Sequence, residues 1–174
     1  MEGQRAPGIG RIATKYGVIH GLIAFVIFLV GALSGLQQSW LMSVLNIAVL
    51  VVLMVLAHRE FKATHEGMMK YSQGLGSGTL LAVVSSVVTC VLVFIYVKFI
   101  NTGYFAAAMK AQEAALAQRG ITGAQAQQAM AMTGMIMTPV GIVVTSLIAG
   151  VITGFVVALI VSIFTQKGDP RAVI

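Results

Sequence analysis

The chain consists of long, unbroken apolar runs separated by short polar joints. It shows neither the two-residue alternation of a half-buried strand nor the single apolar stripe of a surface helix. The runs cover about residues 16–36, 40–57, 74–97 and 140–165. Bilayer hydrocarbon is ~30 Å thick, which a helix of roughly 20 apolar residues crosses. Lipid offers no hydrogen-bond partners, so each run must satisfy its own backbone, and a helix does so. The runs are too long and too continuously apolar for barrel strands. The predicted class is all-α: a polytopic membrane protein, one membrane domain over residues 1–174, with four transmembrane helices.

The joints differ in kind. Gln37-Gln38-Ser39 predicts a short turn, and about 58–73 reads as a polar connector, "HREFKATHEGMMKYSQ". The third joint, about 102–137, is a helical arm rich in Ala, Gln and Met, inserted between the third and fourth spans. Its residues favour helix, in two short pieces. Asn101 and Thr102 are the expected caps of the first piece, which runs to about Gln118 before Arg119-Gly120 breaks it. Thr122 with Gln125 matches a capping box for the second. Pro139 then opens the fourth span. Isolated helices this short are marginal in water, so the arm is expected to rest on the membrane surface, the bundle or a partner. Met130, Met132, Met135 and Met137 make its second half apolar and adaptable.

Composition agrees with a membrane class. The chain is 58% hydrophobic and 9% charged, against about 25% charged in soluble domains. The net charge of +6 comes from cations at the ends of the apolar runs. That placement suits anionic headgroups, and no nucleic-acid motif accompanies it. Arg5, Arg11, Lys15, Arg59, Lys62, Lys70, Lys167 and Arg171 fall on one side; Lys98, Lys110 and Arg119 fall on the other. The positive-inside rule then predicts cytoplasmic termini and connector, an outward arm, and Trp40 and Tyr104 at the outer interface. The basic start and Ala32-Leu33-Ser34 faintly imitate a signal peptide, but the apolar run exceeds a signal's core and is expected to stay as the first span. Cys90 is the single cysteine, which excludes an internal disulfide or a multi-cysteine metal site.

Small residues recur four apart. Gly74, Gly78, Ala82, Ser86 and Cys90 follow this spacing in the third run, as do Ser146, Gly150, Gly154, Ala158 and Ser162 in the fourth. The first run adds Gly17 with Gly21 and Gly31 with Gly35. Residues four apart share a helix face, and small ones let helix backbones approach in lipid. These positions are the expected helix-packing sites, either between the third and fourth spans or against a partner helix or second copy.

Few polar side chains enter the spans. His20, Ser43 and Asn46 are the candidate intramembrane contacts. His20 is expected to be neutral and hydrogen-bonded, and Asn46 to bond a neighbouring helix. The connector carries His58, Glu60, His65 and Glu66, but "HEGMM" lacks the second histidine of a zinc motif. "GLGSG" lacks the Lys-Ser or Lys-Thr of a phosphate loop. No nucleophile, base and orienter set emerges, so no catalytic, cofactor or metal residue is predicted.

The order of these features resembles a bacterial inner-membrane family, domain of unknown function 4199. The likeness rests on "KYGVIHGLI", "HREFKATHEGMMKYSQGLGSGTL", "FIYVKFINTGYF", "QRGITGAQAQQAM" and "TPVGIVVTSLIAGVITGFVVALIVSIF". It implies four spans with a helical insert and an inner-membrane location, and it implies no activity. Within the insert Glu113 is the single acid, where family inserts are more charged, which weakens an electrostatic docking role. The expected function is a non-enzymatic membrane subunit or accessory partner. Its partners would be lipid and other membrane subunits or copies of itself, without nucleic acid. The alternative is a small homo-oligomeric transporter or channel for a neutral or lipid-like substrate, with His20, Ser43 and Asn46 lining the path.

Overall fold

Each apolar run folds as a helix. The computed structural model describes residues 8–36, 39–136 and 138–167. The features expected at Arg5, Gln37, Gln38, Met137 and Arg171 lie outside the described residues. The elements are α1 (Ile9–Ser34), α2 (Trp40–Thr64), α3 (Tyr71–Ile95), α4 (Tyr104–Gln118), α5 (Gly123–Ile136) and α6 (Pro139–Thr165). A π-helical turn, Tyr96–Ile100, prolongs α3 and closes with Asn101 N–H donating to the Tyr96 carbonyl at 2.9 Å. Four stretches are long and apolar enough to cross a bilayer: Ile9–Ser34, Trp40–Thr64, Tyr71–Ile100 and Val140–Thr165. Among the described residues extended pairing is confined to one antiparallel bridge, Met69 with Lys167.

Three helices outrun the hydropathy that predicts them. α1 starts seven residues before Tyr16, α2 continues past Ala57 to Thr64, and α3 starts at Tyr71. Hydropathy marks where lipid ends, whereas the helix ends where hydrogen bonding stops. The connector therefore shrinks to residues 65–70. It turns through Glu66 and Gly67, both left-handed at φ 52° and 76°.

The ends of the helices have local causes. Ser39 Oγ accepts from the Leu41 N–H at the start of α2. Thr138 Oγ1 accepts from the Gly141 N–H at 3.0 Å, one turn into α6. Gly103, not Asn101 or Thr102, precedes α4, and it offers no side-chain cap. α4 stops at Arg119 and Gly120, the latter at φ 72°, a left-handed conformation that glycine adopts without strain.

The chain divides into two compact units. One comprises residues 1–89 and 149–174, the other residues 90–148. In the first, α1, α2, most of α3 and most of α6 pack around Ile12, Ala13, Leu50, Met54, Leu81 and Ala158. Its helices turn their bulk outward: Val30, Leu33, Val52, Ile152, Ile160 and Phe164 are exposed, while Gly17, Gly21, Ala57, Ser77, Ala82 and Ser162 are buried. Water would penalise that arrangement and hydrocarbon does not. The second unit holds the helical insert, α4 and α5, with Ala108 and Leu116 buried on α4.

Candidate functional site

The small residues of α3 and α6 meet in antiparallel register. A Cβ built on Gly74 would lie 3.0 Å from Ser162 Oγ, and one on Gly78 would lie 2.7 Å from the Ala158 Cβ. One on Gly154 would overlap Ala82, and one on Gly150 would lie 2.5 Å from Ser86 Oγ. Each step of four along α3 is thus answered by a step of four back along α6. Glycine always faces a residue with a small side chain, so one side of every pair must lack a Cβ. The sequence-predicted positions Gly74, Gly78, Ala82, Ser86, Gly150, Gly154 and Ala158 all fall on this seam.

A second face of α3 receives α1. A Cβ on Gly17 would sit 2.8 Å from the Leu81 carbonyl, and one on Gly21 would sit 2.7 Å from Val88. Thr89 Oγ1 donates to the Gly21 carbonyl at 3.1 Å across the same contact. Gly31 is buried on α1. Gly35 is a correction: it ends α1 in the left-handed region with open space around it, so it caps the helix instead of packing it. Ser146 is exposed and packs no seam.

Buried histidines tie the helices. His20 Nδ1 lies 2.5 Å from Ser85 Oγ on α3, and Nε2 lies 3.4 Å from the Asn46 carbonyl on α2. A carbonyl only accepts, so Nε2–H donates and Nδ1 takes the serine proton. Neutral imidazole satisfies both contacts. Asn46 therefore contributes its backbone, while its side-chain oxygen is buried beside the imidazole without completing a hydrogen bond. Ser43 lies on the exposed surface of α2, so the structure does not gather His20, Ser43 and Asn46 into one polar path.

His58 is the larger surprise, because the sequence places it in a solvated turn. It is 0% exposed. Its Nε2 lies 3.1 Å from the Gly74 carbonyl and its Nδ1 2.8 Å from Thr165 Oγ1. The carbonyl makes Nε2 the donor, while the single proton of Thr165 Oγ1 is shared between Nδ1 and the Val161 carbonyl, 2.8 Å away. Lys62 Nζ donates to the Thr165 carbonyl at 3.0 Å, satisfying a terminal acceptor of α6. Two backbone bonds of 3.0 and 2.9 Å then pair Met69 with Lys167. α2, α3 and α6 are thereby fastened at one end.

α1 joins that end through Glu60, which accepts from Lys15 Nζ at 2.7 Å and from Tyr16 OH at 2.8 Å. Lys15, Lys62 and Lys167 therefore come together at the same end of this unit. Sequence reasoning missed Ser85, Thr89, Tyr16, Glu60 and Thr165 as partners. The readable signal was Ser85 and Thr89, four apart and one position off the glycine stripe. Among the described residues, Ser77 and Ser162 hydroxyls are buried without a hydrogen-bond partner, and no group of three or more His, Cys, Asp or Glu could hold a metal.

In the second unit Cys90 Sγ lies 3.6 Å from the Val143 carbonyl, a weak donor turned into the protein. Asn101 Nδ2 donates to the Tyr96 hydroxyl at 3.3 Å. Partial burial, with Tyr96 adding to it, pushes the Tyr104 phenol above its ordinary pKa, which keeps it neutral.

No curated protein and no solved structure matches this chain. A family model does, over residues 15–167, which takes in most of the first span and all of the other three, the connector and the insert. The chain accordingly belongs to the family described as protein of unknown function (DUF4199).

Proposed function

We propose that the chain is a non-enzymatic integral membrane subunit, or accessory partner, of a bacterial inner-membrane assembly. One observation carries this reading: both buried histidines spend both ring nitrogens on contacts between helices. Their chemistry is used to hold the bundle together, and it is not aimed into a cleft. The small-residue stripes serve the same end, since α3 and α6 use them on each other. Partner contact then falls to the insert and the basic connector. By the positive-inside rule, the termini and connector face the cytoplasm and the insert faces outward.

The test is the composition of the native particle. The tagged full-length chain is extracted from its own membrane in native nanodiscs and weighed by mass spectrometry. Stoichiometric recovery of different membrane subunits supports the role; a lone chain or a pure homo-oligomer contradicts it. The unpartnered Ser77 and Ser162 hydroxyls favour a second reading, a homo-oligomeric transporter for a neutral or lipid-like substrate. A homo-oligomer that moves such a solute across liposomes would establish it.

A further inference from the structure

The first unit carries a cavity that the subunit reading does not use. It opens at the end where α2 stops, α3 starts and α6 stops, and holds about 270 Å³. Its polar lining is made of Lys70, Lys167, His65 and Gln73, and no carboxylate is among the lining residues. Its apolar wall is Phe61, Met68 and Met69.

The cavity is built on fixed backbone. Met69 and Lys167 exchange two main-chain hydrogen bonds, so Lys167, just past the end of α6, and Lys70, next to Met69, spring from backbone that is tied together. Gln73 Oε1 accepts from the Lys70 N–H at 2.9 Å, which leaves the amide nitrogen of Gln73 as a donor. His65 stacks on Phe61 with ring centroids 4.0 Å apart, and its Nδ1 lies 3.0 Å from the Phe61 carbonyl. That bond fixes Nδ1 as a donor and leaves Nε2 as the ring's remaining polar atom. Of the two acids adjacent in sequence to lining residues, Glu60 is engaged by Lys15 and Tyr16, and Glu66 adopts a left-handed conformation that is uncommon for a residue with a side chain. Its neighbour Gly67 completes the turn that delivers Met68, Met69 and Lys70 to the cavity.

Two lysines on a held backbone, with no lining carboxylate, select an anion. An apolar wall beside them suits an amphiphile better than a free ion. The cavity also lies where three candidate spans end, at Thr64, Tyr71 and Thr165, the level at which headgroups meet water. We infer that this cavity binds the phosphodiester headgroup of an anionic phospholipid, with Lys70 and Lys167 on the phosphate and Phe61, Met68 and Met69 against the glycerol and acyl start. The inference goes beyond the subunit role and stands whether or not that role does.

The test is native mass spectrometry of the full-length chain in a neutral detergent, titrated with dioleoyl phosphatidylglycerol or dioleoyl phosphatidylcholine. The expected result is phosphatidylglycerol binding at least ~10-fold tighter than phosphatidylcholine. It should fall about 10-fold or more in the Lys70→Gln, Lys167→Gln double variant. Arg59→Gln, exposed and outside the cavity, should keep the preference. Equal binding of the two lipids, or full retention in the double variant, overturns the site. Displacement of phosphatidylglycerol by excess inorganic phosphate overturns the lipid assignment in favour of a free anion. Should the double variant fail to fold, thermal melting of the unaltered chain decides: a rise with phosphatidylglycerol alone supports the site, and equal shifts refute it.

Discussion

Glycine does different work in the two units. In the unit of residues 1–89 and 149–174, a Cβ on Gly154 would overlap Ala82. In the unit of residues 90–148, a Cβ on Gly134 would meet only the tip of Met109, at an ordinary 3.9 Å. The first unit buries small and polar residues alongside Ile12, Met54 and Leu81, and faces outward with Val, Leu, Ile and Phe. In the second, Met132 and Met135 of α5 are exposed, the latter at 78%. Spacing alone therefore does not make a glycine structural. It becomes so when its stripe meets another stripe, as α3 meets α6.

The sharpest way to break this contrast is Gly154→Leu. Its side chain would enter the space of Ala82, costing about 3 kcal/mol or more, and thermal melting in detergent should show loss of the cooperative transition. His58→Ala comes next. It removes the cross-helix donor to the Gly74 carbonyl and opens a cavity at a fully buried position, while Thr165 keeps its bond to the Val161 carbonyl; the loss should be about 2–3 kcal/mol, and a lowered Tm should appear without a change in oligomer size. Lys15→Gln should cost little, because the pair with Glu60 is solvent-exposed and screened; the small loss in Tm at low salt should vanish in high salt. Gly134→Ala should be neutral, or stabilising by up to about 1 kcal/mol through helix propensity. A large loss there would erase the distinction between the units.

Much of the fold was legible because lipid imposes a simple code. Long apolar runs gave four helices, and Pro139 and Gly120 marked real boundaries. The four-residue spacing in α3 and α6 gave the residues of their seam, though not its pairing. Pairing depends on which helices neighbour each other, and spacing within one helix carries no such information. His58 was misplaced for a physical reason. Its neighbours Arg59, Glu60 and Lys62 lower local hydropathy, yet a helix can carry charges on one face and bury a histidine on another. Asn46 was assigned through its side chain, whereas its main-chain carbonyl meets His20. Gly35 shared the packing spacing but took the cap, since a helix end needs a left-handed residue. The Met69–Lys167 pairing, and with it the basic cavity, joins residues about a hundred positions apart and left no local trace.

The antiparallel seam within one chain is tested most directly by cross-linking. Ser86→Cys and Gly150→Cys are introduced together in a Cys90→Ser background. The Cβ positions at 86 and 150 lie 3.3 Å apart, close to disulfide range. Oxidation in the membrane should yield a band at monomer mass whose mobility shifts on reduction. Disulfide-linked dimers, or no bridge at all, would contradict the seam and return the stripes of α3 and α6 to a partner chain or to lipid.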